Sequence, residues 1–152
     1  MYKWFALIFA FVLLSCGLYC HHSNQINVYK VDDFMKMDGI YYAGFTEWRC
    51  NKDTVIKVFD GIGPDFINQV MIHEFIHALT EQSEHINNKE CYFSTSYPLL
   101  SYPLCPEEID LLNNVYMTYH VKVFDEELLN ATIYSIEFIN FYMNREALIL
   151  DD

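Results

Sequence analysis

Three residues in one short run carry the types and spacing that do chemistry: His73, Glu74 and His77, in His73-Glu74-Phe75-Ile76-His77. On a helix, positions i and i+4 share a face, so both imidazoles reach one divalent cation at roughly 2.0–2.1 Å. Glu74 is turned by about 100° from His73. It is placed to take a proton from water activated by the cation, not to join the ligands. The H-E-x-x-H pattern implies Zn²⁺, and chance produces it in a chain this long with odds well under about one in a hundred. The competing reading is two unrelated histidines on a surface helix. Two His and a Glu on an otherwise apolar helix are costly to bury without a partner, which weighs against it.

A zinc ion that does chemistry usually has three protein ligands and one open position. His85 is the first choice for the third, because the polar segment after the helix turns the chain back toward the metal. Glu84 and Glu81 are rivals on the same segment, and Glu107 or Glu108 is the alternative from a later helix. His120 is distant and reads as a surface residue. Tyr92, Tyr97 and Tyr102 are candidates to stabilise a developing oxyanion, and packing is the plainer role for each.

The elements that position these residues follow from periodicity. Ile26 to Val31, Ile40 to Tyr42 and Thr54 to Phe59 read as strands, with a turn at Asp38-Gly39. Pro64 opens a helix after the Asp60-Gly61-Ile62-Gly63 turn, with Asp65 in its first turn, and the helix runs to about Thr80. Ile72, Phe75, Ile76 and Leu79 recur on its core face. Glu81 to Lys89 is polar and irregular, and Tyr92 to Leu104, with Pro98 and Pro103, reads as extended loop. Pro106-Glu107-Glu108 starts a second helix through about Thr118, and Asp125 caps a long last helix from about Glu126 to Ala147. The expected fold is α+β: a short mixed sheet packed on the helix that carries the motif, followed by two C-terminal helices.

Composition narrows the partners. Of 152 residues, 53% are apolar and 17% aromatic, enough for one cored domain. The formal charge of −12 argues against nucleic acid, since phosphate binding needs clustered Lys and Arg. It gives solubility and favours cationic substrates, although a plain solvated surface explains it as well.

Residues 1–15 read as a signal peptide: Lys3 supplies the positive end and Trp4 to Leu14 is an unbroken apolar run, too short to span a bilayer. Leu13-Leu14-Ser15-Cys16 resembles the lipobox of bacterial lipoproteins, which implies lipidation at Cys16, a tether over residues 16–25 and a domain over 26–152. The chain is then exported and membrane-anchored, periplasmic or at the cell surface. Cleavage near Gly17 to Cys20, giving a secreted protein, is the alternative. Cys20, Cys50, Cys91 and Cys105 permit disulfides in that compartment. A Cys91–Cys105 bridge would staple the segment after the motif.

From Thr54 to Tyr116 the chain resembles the metzincin clan of zincin metallopeptidases. The run His73 to Leu79 is similar to the start of that clan's zinc motif, and Leu104 to Leu112 with Tyr116 is similar to the helix opening that follows it in matrixin-like enzymes. Thr54 to Phe59 matches the edge strand that aligns substrate. The clan's glycine three residues after the second His is Thr80 here, its third His is Ser83, and its Met-containing turn falls near Cys91-Tyr92-Phe93-Ser94. The resemblance implies a zincin-like domain that hydrolyses peptide bonds in a peptide or protein substrate, with His73, His77 and His85 on Zn²⁺ and Glu74 as general base. A zincin-like lipoprotein that has lost catalysis and serves as a binding module is the alternative. A helical surface lipoprotein with an accidental motif is a third reading.

Overall fold

The computed structural model describes residues 22–59, 61, 63–94 and 103–152. The expected signal segment, Cys16, Cys20, Tyr97 and Tyr102 lie outside them.

The class is α+β, as the periodicity implies. Strands β1 (Gln25–Val31), β4 (Gly44–Glu47), β5 (Thr54–Phe59), β6 (Tyr119–Val123) and β7 (Leu148–Leu150) form one mixed sheet in the order β4-β5-β1-β6-β7. Strand β1 runs parallel to β5 and β6, β7 is parallel to β6, and β4 is antiparallel to β5. Strands β2 (Met35–Met37) and β3 (Ile40–Tyr42) form a separate hairpin. Asp38 and Gly39, at φ 50° and 83°, make the left-handed two-residue turn whose twist matches that of the strands.

Burial alternates along the sheet. Ile26, Val28, Ile56, Val58 and Val121 are fully buried, while Asn27, Tyr29, Val55 and Lys57 between them are not. One face of the sheet therefore carries the core, in contrast to parallel sheets covered on both sides. This explains how Lys57 sits within a strand.

Helix α1 (Pro64–Thr80) lies against β4 and β5 on that covered face. Every residue from Gln69 to Leu79 is buried, as expected of a helix apolar on all sides. It stops where Glu81 turns left-handed at φ 52°, its N–H returning to the carbonyl of His77. Helices α2 (Pro106–Leu112) and α3 (Leu129–Met143) pack against α1, and α3 also against β7.

Several expected boundaries move. The second helix ends at Leu112, not near Thr118, and its chain turns through Asn113 and Asn114. The Arg145 guanidinium then holds the carbonyls of Val115 and Met117, and Tyr119–Val123 becomes strand β6. The last helix begins as a 3₁₀ turn at Glu126–Leu128 and ends at Met143, because Asn144 adopts φ 52°. Asn140 turns its side chain to the backbone of Ala147 and Leu148, fixing the start of β7 just past the expected end of the helix. Asp125 stands at the head of the 3₁₀ turn, but its carboxylate accepts the N–H of Lys30 rather than capping. Thr54–Phe59 is interior to the sheet; the edge next to α1 is β4. Residues 22–25 lie against the domain: His22 pairs with Glu81, Ser23 bonds Asp53, and Gln25 opens β1.

Candidate metal centre

His73 and His77 stand one turn apart on the buried part of α1, at 2% and 9% exposure. His85 reaches them from the irregular segment after the Glu81 turn and is exposed. The three Nε2 atoms are mutually 3.1 Å apart. The centre of such a triangle is about 1.8 Å from each corner, so a single point at roughly 2.0–2.1 Å from all three exists just off its plane.

The outer ring atoms fix the tautomers. His73 Nδ1 donates to the carbonyl of Tyr92 at 2.7 Å and His77 Nδ1 to that of Gln82 at 2.5 Å. Each neutral ring then presents a bare lone pair at Nε2, the arrangement found around ligating histidines. Protonation does not relieve the convergence at neutral pH. Burial, then the neighbouring His77, brings the pKa of His73 down to about 3, against a raising effect of the Tyr92 carbonyl. Burial likewise brings His77 to about 4, and lowers His85. Three neutral nitrogen donors facing one point suit a borderline-soft divalent cation such as zinc.

Phe93 forms the floor. Its fully buried ring lies 5.5, 4.5 and 5.4 Å from the rings of His73, His77 and His85. Its carbonyl accepts the N–H of Ile86, tying down the residue beside His85. The expected Cys91–Cys105 disulfide is present and closes this loop onto the start of α2. A bridge across a loop of that size stabilises by about 3 kcal/mol through the unfolded chain. Cys50 is disulfide-bonded as well.

Glu74 points toward β4. Its carboxylate accepts the Thr46 hydroxyl at 2.7 Å, and at 2% exposure it is as buried as His73. Gly44 makes room for it: a Cβ there would stand 2.7 Å from Glu74 Cγ and Oε1 and from Val70 Cγ1. Trp48, just past β4, stacks loosely on His77 with centroids 6.4 Å apart.

The other ligand candidates go elsewhere. Glu81 pairs with His22, and Glu107 accepts a long hydrogen bond from Asn88. Glu84, Glu107 and Asp110 line a groove of about 400 Å³ that opens at His85. Glu108 is fully buried under the Phe93 loop. His120 pairs with Asp151 on the sheet. Among the described residues the histidine group is His73, His77 and His85 alone. The Tyr92 ring is buried edge-on against Phe138 of α3. Burial, with Tyr134 nearby, pushes its pKa up to about 12.

Sequence reasoning did not single out Phe93 as a floor, nor Gly44, Thr46 and Trp48. It also did not anticipate the carbonyls of Tyr92 and Gln82. The carbonyls have no residue-type signature. The β4 residues become visible only once β4 is known to border α1. Comparison of the chain with family models, curated proteins and solved structures gives no match.

Proposed function

We propose that this protein is a zinc-dependent metallopeptidase of zincin type, exported and held at a membrane by a lipid on Cys16. The observation that carries the reading is the triangle of Nε2 atoms from His73, His77 and His85, each pair 3.1 Å apart, on a buried H-E-x-x-H helix. His73, His77 and His85 would hold the ion. Zinc bound there supplies a Lewis acid that acidifies water and polarises a carbonyl.

The chain's own residues do the rest. Glu74 is the general base, taking a proton from the attacking water and delivering it to the leaving amine. Thr46 orients that carboxylate, and Gly44 leaves it space. Strand β4, at the sheet edge beside Glu74, is the surface along which an extended peptide lies. The exposed side of His85 gives substrate its entry. The Cys91–Cys105 disulfide supports an oxidising compartment. Among the described residues no helix is long and apolar enough to cross a membrane.

The test is Glu74→Gln. The variant keeps one zinc per chain and loses peptide hydrolysis by about 10²–10⁴-fold; full activity in that variant refutes the mechanism. A second reading, a zinc-holding binding module without catalysis, draws on Glu74 being buried and already bonded to Thr46. Stoichiometric zinc in the native protein with no turnover of any peptide pool favours it.

A further inference from the structure

Glu108 is a carboxylate at 0% exposure that the proposed chemistry does not use. Its Oε1 accepts the N–H of Phe93 at 2.6 Å and its Oε2 the N–H of Cys105 at 2.8 Å. The backbone of Tyr92 donates to it as well. Burial pushes its pKa up and these N–H groups pull it back. A group so buried is expensive unless it is fully hydrogen-bonded, and here the bonds all go to backbone around one loop.

That loop is the one beneath the histidines. The Tyr92 carbonyl fixes His73 Nδ1, the Phe93 carbonyl fixes Ile86 beside His85, and the Phe93 ring touches all three imidazoles. Cys105, at the other end of the bracket, is covalently joined to Cys91, the residue before Tyr92. One side chain on α2 therefore governs two residues that each orient part of the centre.

We infer that Glu108 is a positioning residue of the three-histidine centre, fixing the Tyr92-Phe93 floor against which His73, His77 and His85 are set. The inference rests on the metal-binding reading above. Replacement by Gln turns an N–H toward one of the donors and leaves that donor without an acceptor. The floor then shifts while the three ligands stay in the sequence.

The test uses the full chain, stripped of metal and titrated with Co²⁺ alone, whose visible absorption reports ligand geometry. Glu108→Gln should bind Co²⁺ about 10–100-fold more weakly, the usual cost of losing an outer partner of a metal site, with its absorption bands displaced from the native positions. Native affinity within about twofold and an unchanged spectrum overturn the inference, even if the metal-free variant melts earlier, because a purely structural bracket would show that result. If Glu108→Gln does not melt cooperatively, Glu108→Asp, which keeps the charge and shortens the reach, is judged by the same two readouts. A native protein that takes up no Co²⁺ overturns both this inference and the metallopeptidase reading. Native uptake with an unaffected variant overturns this inference alone.

Discussion

Helix α1 and the segment from Glu81 to Ser94 build two halves of one centre by different means. In α1 the register of a regular helix sets His73 and His77, and eleven consecutive buried residues, Gln69 to Leu79, hold the helix in place. The second half is irregular in backbone. His85 and Phe93 are held there by single contacts: the Ile86–Phe93 hydrogen bond, the Glu108 bracket and the Cys91–Cys105 bridge. The first half is specified by local periodicity and burial. The second is specified by tertiary partners, so single substitutions in it should propagate into the site.

The acid response tests the buried half and carries the largest expected effect. His73 and His77 have folded pKa values of about 3 and about 4 against an ordinary 6.5. The unfolded chain thus binds more protons between those values and 6.5, so these rings' contribution to stability is complete above pH 6.5, declines as pH drops below it, and is fully lost at about pH 4 for His77 and about pH 3 for His73. In metal-free protein the two together should remove on the order of 5 kcal/mol by pH 4. Glu108 works the other way, since its raised pKa relieves a burial penalty on acidification. Denaturant melts from pH 7 to 4, with NMR titration of the ring protons, check this. Rings that titrate near 6.5 would erase the distinction between the halves.

Phe93→Ala tests the irregular half. Removing a fully buried ring should cost about 3–5 kcal/mol in urea unfolding and weaken zinc retention, with α1 still helical by circular dichroism. Unchanged zinc affinity in this variant would mean the floor does not shape the centre.

Gly44→Ala separates the base from the ligands and has the smallest expected effect. The new Cβ would meet Glu74 and Val70 at 2.7 Å, a crowding worth about 1–3 kcal/mol. Hydrolysis should fall while zinc content stays at one per chain. Loss of zinc instead would show that β4 supports the ligands as well as Glu74.

The same division explains what could be read in advance. Helix α1 was legible from Pro64 to Thr80 because Pro marks its start and apolar residues recur along it. Strand Thr54–Phe59, the Asp38-Gly39 turn and the Cys91–Cys105 pairing were also expected. The meeting of His73, His77 and His85 matches the first-choice trio. Tyr119–Val123 and Leu148–Leu150 were not legible as strands. Each is short, and each is held extended by pairing across the sheet, β6 with β1 and β7 with β6. Glu108 resembled a possible ligand from its position on the next helix. Only the packed fold turns it toward the Phe93 and Cys105 amides.

The order of strands has a kinetic corollary. Central β1 is paired on one side with β5 but on the other with β6, matching Gln25 to His120. Until that late segment arrives, β1 has a bare flank and the sheet cannot close. Non-local parallel pairing of this kind slows folding. Whatever precedes it, the five-stranded order is therefore out of reach until Tyr119–Val123 has been delivered.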